Sequence, residues 1–305
     1  MFKKIMLCID LSPASESLVG CVSEMKKLGL EEVILIHVIY VANTPGLEVM
    51  LEEEARPFLE RHKASLEARG FKVTTEMPFG LPAHALADAA EKHDVSLVVI
   101  GSHGRGIMGE AILGSVSTKL LRLTRRPVLL VRLAIMDNER CLTVCRSLFD
   151  NILFPTDFSE GAERVIPYLC KITSEMKSPV TIFHVIAETE IDPAKKEQRE
   201  DTERFLLDAK RQRILKGCGS GNASEPASGE VTENSCESIQ GISVELAWGN
   251  PGQQICTKAI EGIFSVVIMG SGGKGVTKEF FLGSIAKEVA RHADVPVIFI
   301  PEALK

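Results

Sequence analysis

The chain has 305 residues, of which 45% are hydrophobic and 25% charged, with a formal net charge of −6. That length suits about two domains with cores of their own, and the balance is that of a soluble globular protein. The acidic charge, with no Lys/Arg block, excludes tracking of nucleic-acid phosphates, and no apolar run approaches the ~18 residues of a membrane span.

The first apolar stretch, Lys4 to Ile9, stops at Asp10. It is too short for the core of a signal peptide, so the chain is expected to be cytoplasmic. It reads instead as a buried strand closed by Asp10-Leu11-Ser12-Pro13. Ser12 or Ser15 can cap the helix that follows, whose apolar face carries Leu18, Val22 and Met25. A second strand over 32–38 includes His37 and Val38, and a long charged helix over about 47–69 ends at Gly70. An alternating third strand occupies 71–77, and Gly80-Leu81-Pro82 opens a helix bearing Ala83, Leu86 and Ala90. The fourth strand, Val95 to Ile100, breaks into Gly101-Ser102-His103-Gly104. Nine residues later Gly114-Ser115-Val116-Ser117 begins another helix, and Val128 to Val131 is a fifth strand. Strands alternating with helices imply parallel pairing with right-handed crossovers.

The second half repeats this order. Asp157 and His184 each lie 147 residues after Asp10 and His37; Gly249, Gly270 and Gly283 each lie 169 after Gly80, Gly101 and Gly114. The register therefore holds except for a net insertion of 22 residues between the second and third strands. That interval contains Gly217 to Glu237, rich in Gly, Ser, Asn and Glu, and reads as a disordered acidic insertion on the surface. The expected fold is α/β, two tandem doubly wound five-stranded parallel sheets, Rossmann-like, in the order 3-2-1-4-5. We place the domains at 1–136 and 137–305. The connecting segment 134–148 is too apolar for a flexible tether and is expected to form a short packed helix.

In a sheet of that order, ligands bind beyond the carboxyl ends of strands one and four. Asp10, Ser12 and the Gly101 motif stand there in the first half; Asp157, Ser159 and the Gly270 motif stand there in the second. A carboxylate at that point accepts hydrogen bonds from ribose hydroxyls. Glycines let backbone N–H groups approach an anion, and a helix beginning at Gly-Ser offers further N–H groups and its dipole to phosphate. Arg105 and Lys274 align beside the two motifs, either as phosphate contacts or as solvated turn residues. His37 and His184 read as packed, hydrogen-bonded strand residues. His103 is matched by Gly272, so no chemistry common to both halves depends on it.

Other signals are weaker. Gly270-x-Gly272-x-x-Gly275 follows the fourth strand instead of the first and has no counterpart, so it is not a dinucleotide fingerprint. No phosphate-loop lysine motif, nucleophile elbow or H-E-x-x-H occurs. The eight cysteines are scattered and expected to be reduced, and Cys141-x3-Cys145 lacks the paired spacing of a zinc site.

These residues resemble the universal stress protein family in its tandem two-domain form. The nucleotide-binding pattern G-x2-G-x9-G-[ST] stands as Gly101, Gly104, Gly114 and Ser115, and again as Gly270, Gly273, Gly283 and Ser284. The resemblance implies binding of ATP or another adenine nucleotide, often with Mg2+ or Mn2+. By position Asp10 and Asp157 would take the ribose, backbone near Val38 and Val185 the adenine, and the Gly/Ser motifs the phosphates. Ser117 has Ala286 as its counterpart, which predicts a weaker second site. Family members pair through their last strands, implying an internal pseudo-dimer of the two halves that dimerises again as a homodimer. The implied function is a stress-response or regulatory binding module, hydrolysing ATP slowly at most. An ATP-dependent phosphotransferase and a nucleotide-independent scaffold are the competing readings.

Overall fold

The computed structural model describes residues 1–12, 14–41, 46–102, 113–132, 134–135, 141–142, 147–187, 193–219, 241–262, 264–273 and 282–301. The first half runs β1 (Lys4–Cys8), α1 (Ala14–Glu24), β2 (Glu32–Ile36), α2 (Glu48–Ala68), β3 (Lys72–Glu76), α3 (Pro82–Lys92), β4 (Leu97–Gly101), α4 (Ser115–Leu123) and β5 (Val128–Val131). The connection contributes β6 (Ala134–Ile135) and β7 (Cys141–Leu142). The second half runs β8 (Ile152–Pro155), α5 (Glu160–Glu163), α6 (Ile166–Met176), β9 (Val180–Ile186), α7 (Pro193–Gly219), β10 (Ile242–Trp248), α8 (Pro251–Glu261), β11 (Val266–Gly270), α9 (Ser284–His292) and β12 (Val297–Ile300).

Each half has the expected strand order. β3-β2-β1-β4-β5 and β10-β9-β8-β11-β12 are parallel within themselves, and β5 pairs antiparallel with β12, Leu129 opposite Ile298. The result is a single ten-stranded sheet. Its inner strands are apolar on both faces because helices cover both, whereas the edge strands β3 and β10 are only partly buried. Odd positions of β1, such as Ile5 and Leu7, join a core with α1, α2, α6 and α7; even positions, such as Met6 and Cys8, join a core with α3, α4, α8 and α9. Both cores run across the β5–β12 seam, since Leu129 shares one with Ile298 and Leu130 shares the other with Val297. No helix among the described residues is long and apolar enough to cross a membrane.

Two expectations change, and a third falls outside the described residues. Ala134–Ile135 and Cys141–Leu142 form an antiparallel strand pair, not part of a packed helix, because so short an apolar run carries no period that separates the two. Cys21 on α1 and Cys170 on α6 each take part in a disulfide and are not reduced, whereas Cys8 and Cys256 are free and buried. Linear spacing could not reveal that, because it does not say which cysteines the fold brings together. The domain boundary at 136/137 and residues 220–237 of the insertion lie outside the described residues, while α7 extends to Gly219.

Candidate functional site

The turn after each first strand is built the same way. Leu11 and Phe158 follow the two aspartates with φ of 63° and 61°, the left-handed region that a bulky side chain avoids. Such a residue costs roughly 1–3 kcal/mol and persists only where its surroundings fix it. The turn brings the next amide back to the carboxylate: Ser12 N–H donates to Asp10 Oδ1 at 3.1 Å, and Ser159 N–H to Asp157 Oδ1 at 3.0 Å. The serine hydroxyls then diverge. Ser12 Oγ donates to Asp10 at 2.6 Å, with Ser15 Oγ at 3.4 Å, whereas Ser159 Oγ accepts from Ala162 N at 3.3 Å and caps α5.

The Gly-Ser helix starts face these turns and are also superposable in their bonding. Gly114 N–H donates to Ser102 O at 2.7 Å, and Gly283 N–H to Ser271 O at 2.8 Å. The two glycines serve as N-caps in extended backbone and have no side chain with which to cap. The first N–H groups of α4 and α9 therefore lack an intrahelical partner and point along the positive end of the helix. Ser115 is exposed and Val116 half-buried at that end, and Ser284 and Ile285 are likewise exposed and half-buried at the other.

Ser117 corrects the sequence reading. Its hydroxyl is buried and donates to Gly101 O at 2.7 Å, tying α4 to the end of β4. Ala286 occupies the corresponding place, also buried. The hydroxyl missing from the second half is thus a structural tie, so its loss gives no reason to expect a weaker second site. The glycines of that half are explained more fully than by anion approach alone. A Cβ on Gly270 would lie 2.8 Å from Gly161 O, and one on Gly161 would lie 2.8 Å from Gly272 O. Gly273 brings its backbone against Asp157, whose Oδ2 would be 2.8 Å from an added Cβ. The carboxylate of the first-strand turn and the glycine loop of the fourth strand are therefore in contact. Gly104, Arg105 and Lys274 lie outside the described residues.

These elements enclose a cavity of about 310 Å³ in the second half. Asp157, Val185, Gly270, Gly273, Gly283 and Ser284 all line it; Ser159 does not, its hydroxyl being spent on the cap. Val38 is half-buried just beyond β2 in the first half. Both strand-two histidines are packed as expected: His37 Nδ1 bonds to Ile9 O at 2.9 Å, and His184 Nδ1 to Thr156 O at 2.7 Å. Among the lining residues that the sequence reading missed are two charged ones, Arg199 and Glu203 of α7. Their only signal was membership of a long charged helix, which looks the same on its solvated side. Among the described residues, no group of three His, Cys, Asp or Glu side chains could hold a metal ion.

Comparison with known proteins follows the same division into halves. The description "Universal stress protein family" matches residues 1–132 and 148–301. A universal stress protein of Methanocaldococcus jannaschii is 32% identical over 155 residues, covering 43% of this chain and 96% of that protein. One of Mycolicibacterium smegmatis is 26% identical over 312 residues, covering 97% of this chain and 96% of its own. Among solved structures, a universal stress protein from Archaeoglobus fulgidus superposes with a TM-score of 0.72 at 23% identity, covering 99% of this chain and all of that one. That last likeness speaks to the fold alone.

Proposed function

The chain belongs to the universal stress protein family, and on that premise we propose that it is a stress-response or regulatory protein that binds adenine nucleotides, one in each half. The observation that carries this reading is the strained Asp turn facing an uncapped Gly-Ser helix start, found twice. A ribose needs an acceptor for its hydroxyls and a polyphosphate needs N–H donors; the two elements supply one each. Asp10 and Asp157 would hold the ribose. The N–H groups of Ser115, Val116 and Ser117, and of Ser284, Ile285 and Ala286, would hold phosphate. With no metal cluster among the described residues, a Mg2+ or Mn2+ ion would enter with the nucleotide, taking phosphate oxygens and water as most of its ligands.

The elements repeated in the two halves are binding groups, and on this reading hydrolysis is slow at most. The antiparallel β5–β12 pairing supports reading the chain as an internal pseudo-dimer. It also occupies the last-strand edges, so a further homodimer would use another surface. In the cytoplasm, the disulfides at Cys21 and Cys170 would be open to reduction. The test is calorimetric titration with ATP, ADP and AMP, with mass spectrometry of nucleotide carried through purification. Saturation at two nucleotides per chain is expected; no binding of any of the three would overturn the proposal.

A further inference from the structure

The cavity of the second half has a wall that the first half cannot reproduce. The buried positions of α7, Leu207, Lys210 and Ile214, repeat those of α2, Leu59, His62 and Leu66, at a constant separation of 148 residues. On that register Glu203 falls where the first half has Ala55, fully buried in the core, and Arg199 falls where it has Leu51. The Glu203 side chain retains only 18% of its exposure, yet it lines the cavity. Its nearest polar neighbours are His184 Nε2 at 3.6 Å and Arg199 Nε at 3.9 Å. Neither is within hydrogen-bond distance, so the carboxylate has charged neighbours but no hydrogen-bond donor among the described residues, and it faces the cavity.

His184 stands beside it. Its Nδ1 is committed to Thr156 O, so its other ring nitrogen, Nε2, is the one that faces Glu203 at the cavity wall. A carboxylate at the wall of a cavity with no hydrogen-bond donor from the described residues calls for one from the ligand, and an amino group supplies it. We infer that Glu203, with His184, is a specificity-determining site of the second half that receives the exocyclic amino group of the bound base. This rests on the adenine-nucleotide reading and names which edge of the base that cavity selects. The first half, with an aliphatic side chain in place of Glu203, lacks that selection.

The experiment is nucleotide titration of the full chain carrying Gly114→Val, which blocks the first helix start and leaves the second site to be read. The probes are ATP and purine ribonucleoside triphosphate, which differs only in lacking the amino group. With Glu203 intact, ATP is expected to bind about tenfold tighter, the weight of one or two charge-assisted hydrogen bonds. Glu203→Ala should bring the two probes within about twofold by weakening ATP alone, and Glu203→Gln, which keeps the shape, should lie between. An ATP preference that survives Glu203→Ala, or none with Glu203 intact, overturns the assignment; Glu203 and His184 would then simply be an ion pair of the protein. Absence of binding by both probes with Glu203 intact, and also in the chain without Gly114→Val, overturns the adenine-nucleotide reading and this assignment with it.

Discussion

The two halves share a backbone plan and differ in what they bury beneath it. Between α1 and α2 the first half places His62, buried and close enough to Glu16 to feel its charge. At the matching place the second half puts Lys210, also buried, paired with Glu163 and lying over the rings of Phe158 and Phe154 at 5.4 and 5.9 Å. An ammonium needs the carboxylate and the ring faces once it is out of water, whereas an imidazole carries no such requirement in its neutral form. Repetition of a fold thus fixes where a side chain is buried, and leaves open how its polarity is satisfied. The same holds at the cradle, where a buried serine ties one helix down and a buried alanine suffices for the other.

The comparison can be broken most severely at Lys210. Among the described residues, Lys210→Ala would leave Glu163 with only the exposed Arg213, 2.8 Å away, as an ion-pair partner. A loss of roughly 3 kcal/mol in denaturant unfolding is expected, the scale of stranding one member of a buried pair. His62→Ala should cost clearly less, because it strands no charge. A neutral result at Lys210 would mean that the ion pair contributes nothing beyond packing.

Asp10→Ala and Asp157→Ala sharpen the comparison at the sites themselves. Each should remove one of two binding events in calorimetry, weakening its own half by about 2 kcal/mol, or roughly 30-fold, while the other half is unchanged. Loss of both events from a single substitution would show that the halves are coupled across the β5–β12 seam.

Ser117→Ala makes the first half resemble the second. It should cost about 1 kcal/mol of stability, by leaving Gly101 O without its side-chain donor, and leave nucleotide affinity nearly unchanged. A large drop in affinity at unchanged stability would restore the serine to the phosphate site.

The smallest effect is a pH dependence. Burial, with the nearby Arg61 charge, holds the His62 pKa below its ordinary value, and Glu16 only partly offsets this. The folded state therefore binds fewer protons than the unfolded state just below pH about 6.5, and stability falls as the pH drops from there through the folded pKa. Urea midpoints at pH 7.5 and 5.5 should differ less in His62→Leu than in the parent chain.

Much of this was legible in the sequence because it depends on local order. Alternating apolar strands, glycine breaks and the constant spacings from Asp10 to Asp157 and from Gly101 to Gly270 specify two copies of one topology, and the topology fixes where the carboxylate and the helix start converge. The remainder depends on which surfaces meet. Gly161 looks like any helix glycine until the backbone of Gly272 is found against it. Ser117 reads as a ligand until the carbonyl of Gly101 is seen to use its hydroxyl. Glu203 is one acid among many on α7, and only packing turns it toward a cavity and away from water. A repeated sequence determines a repeated backbone, because hydrogen-bonded ladders and crossovers follow from periodicity. Which hydroxyls, carboxylates and disulfides remain available to a ligand is decided by tertiary contacts, because each such group is consumed by whatever neighbour the fold brings within reach.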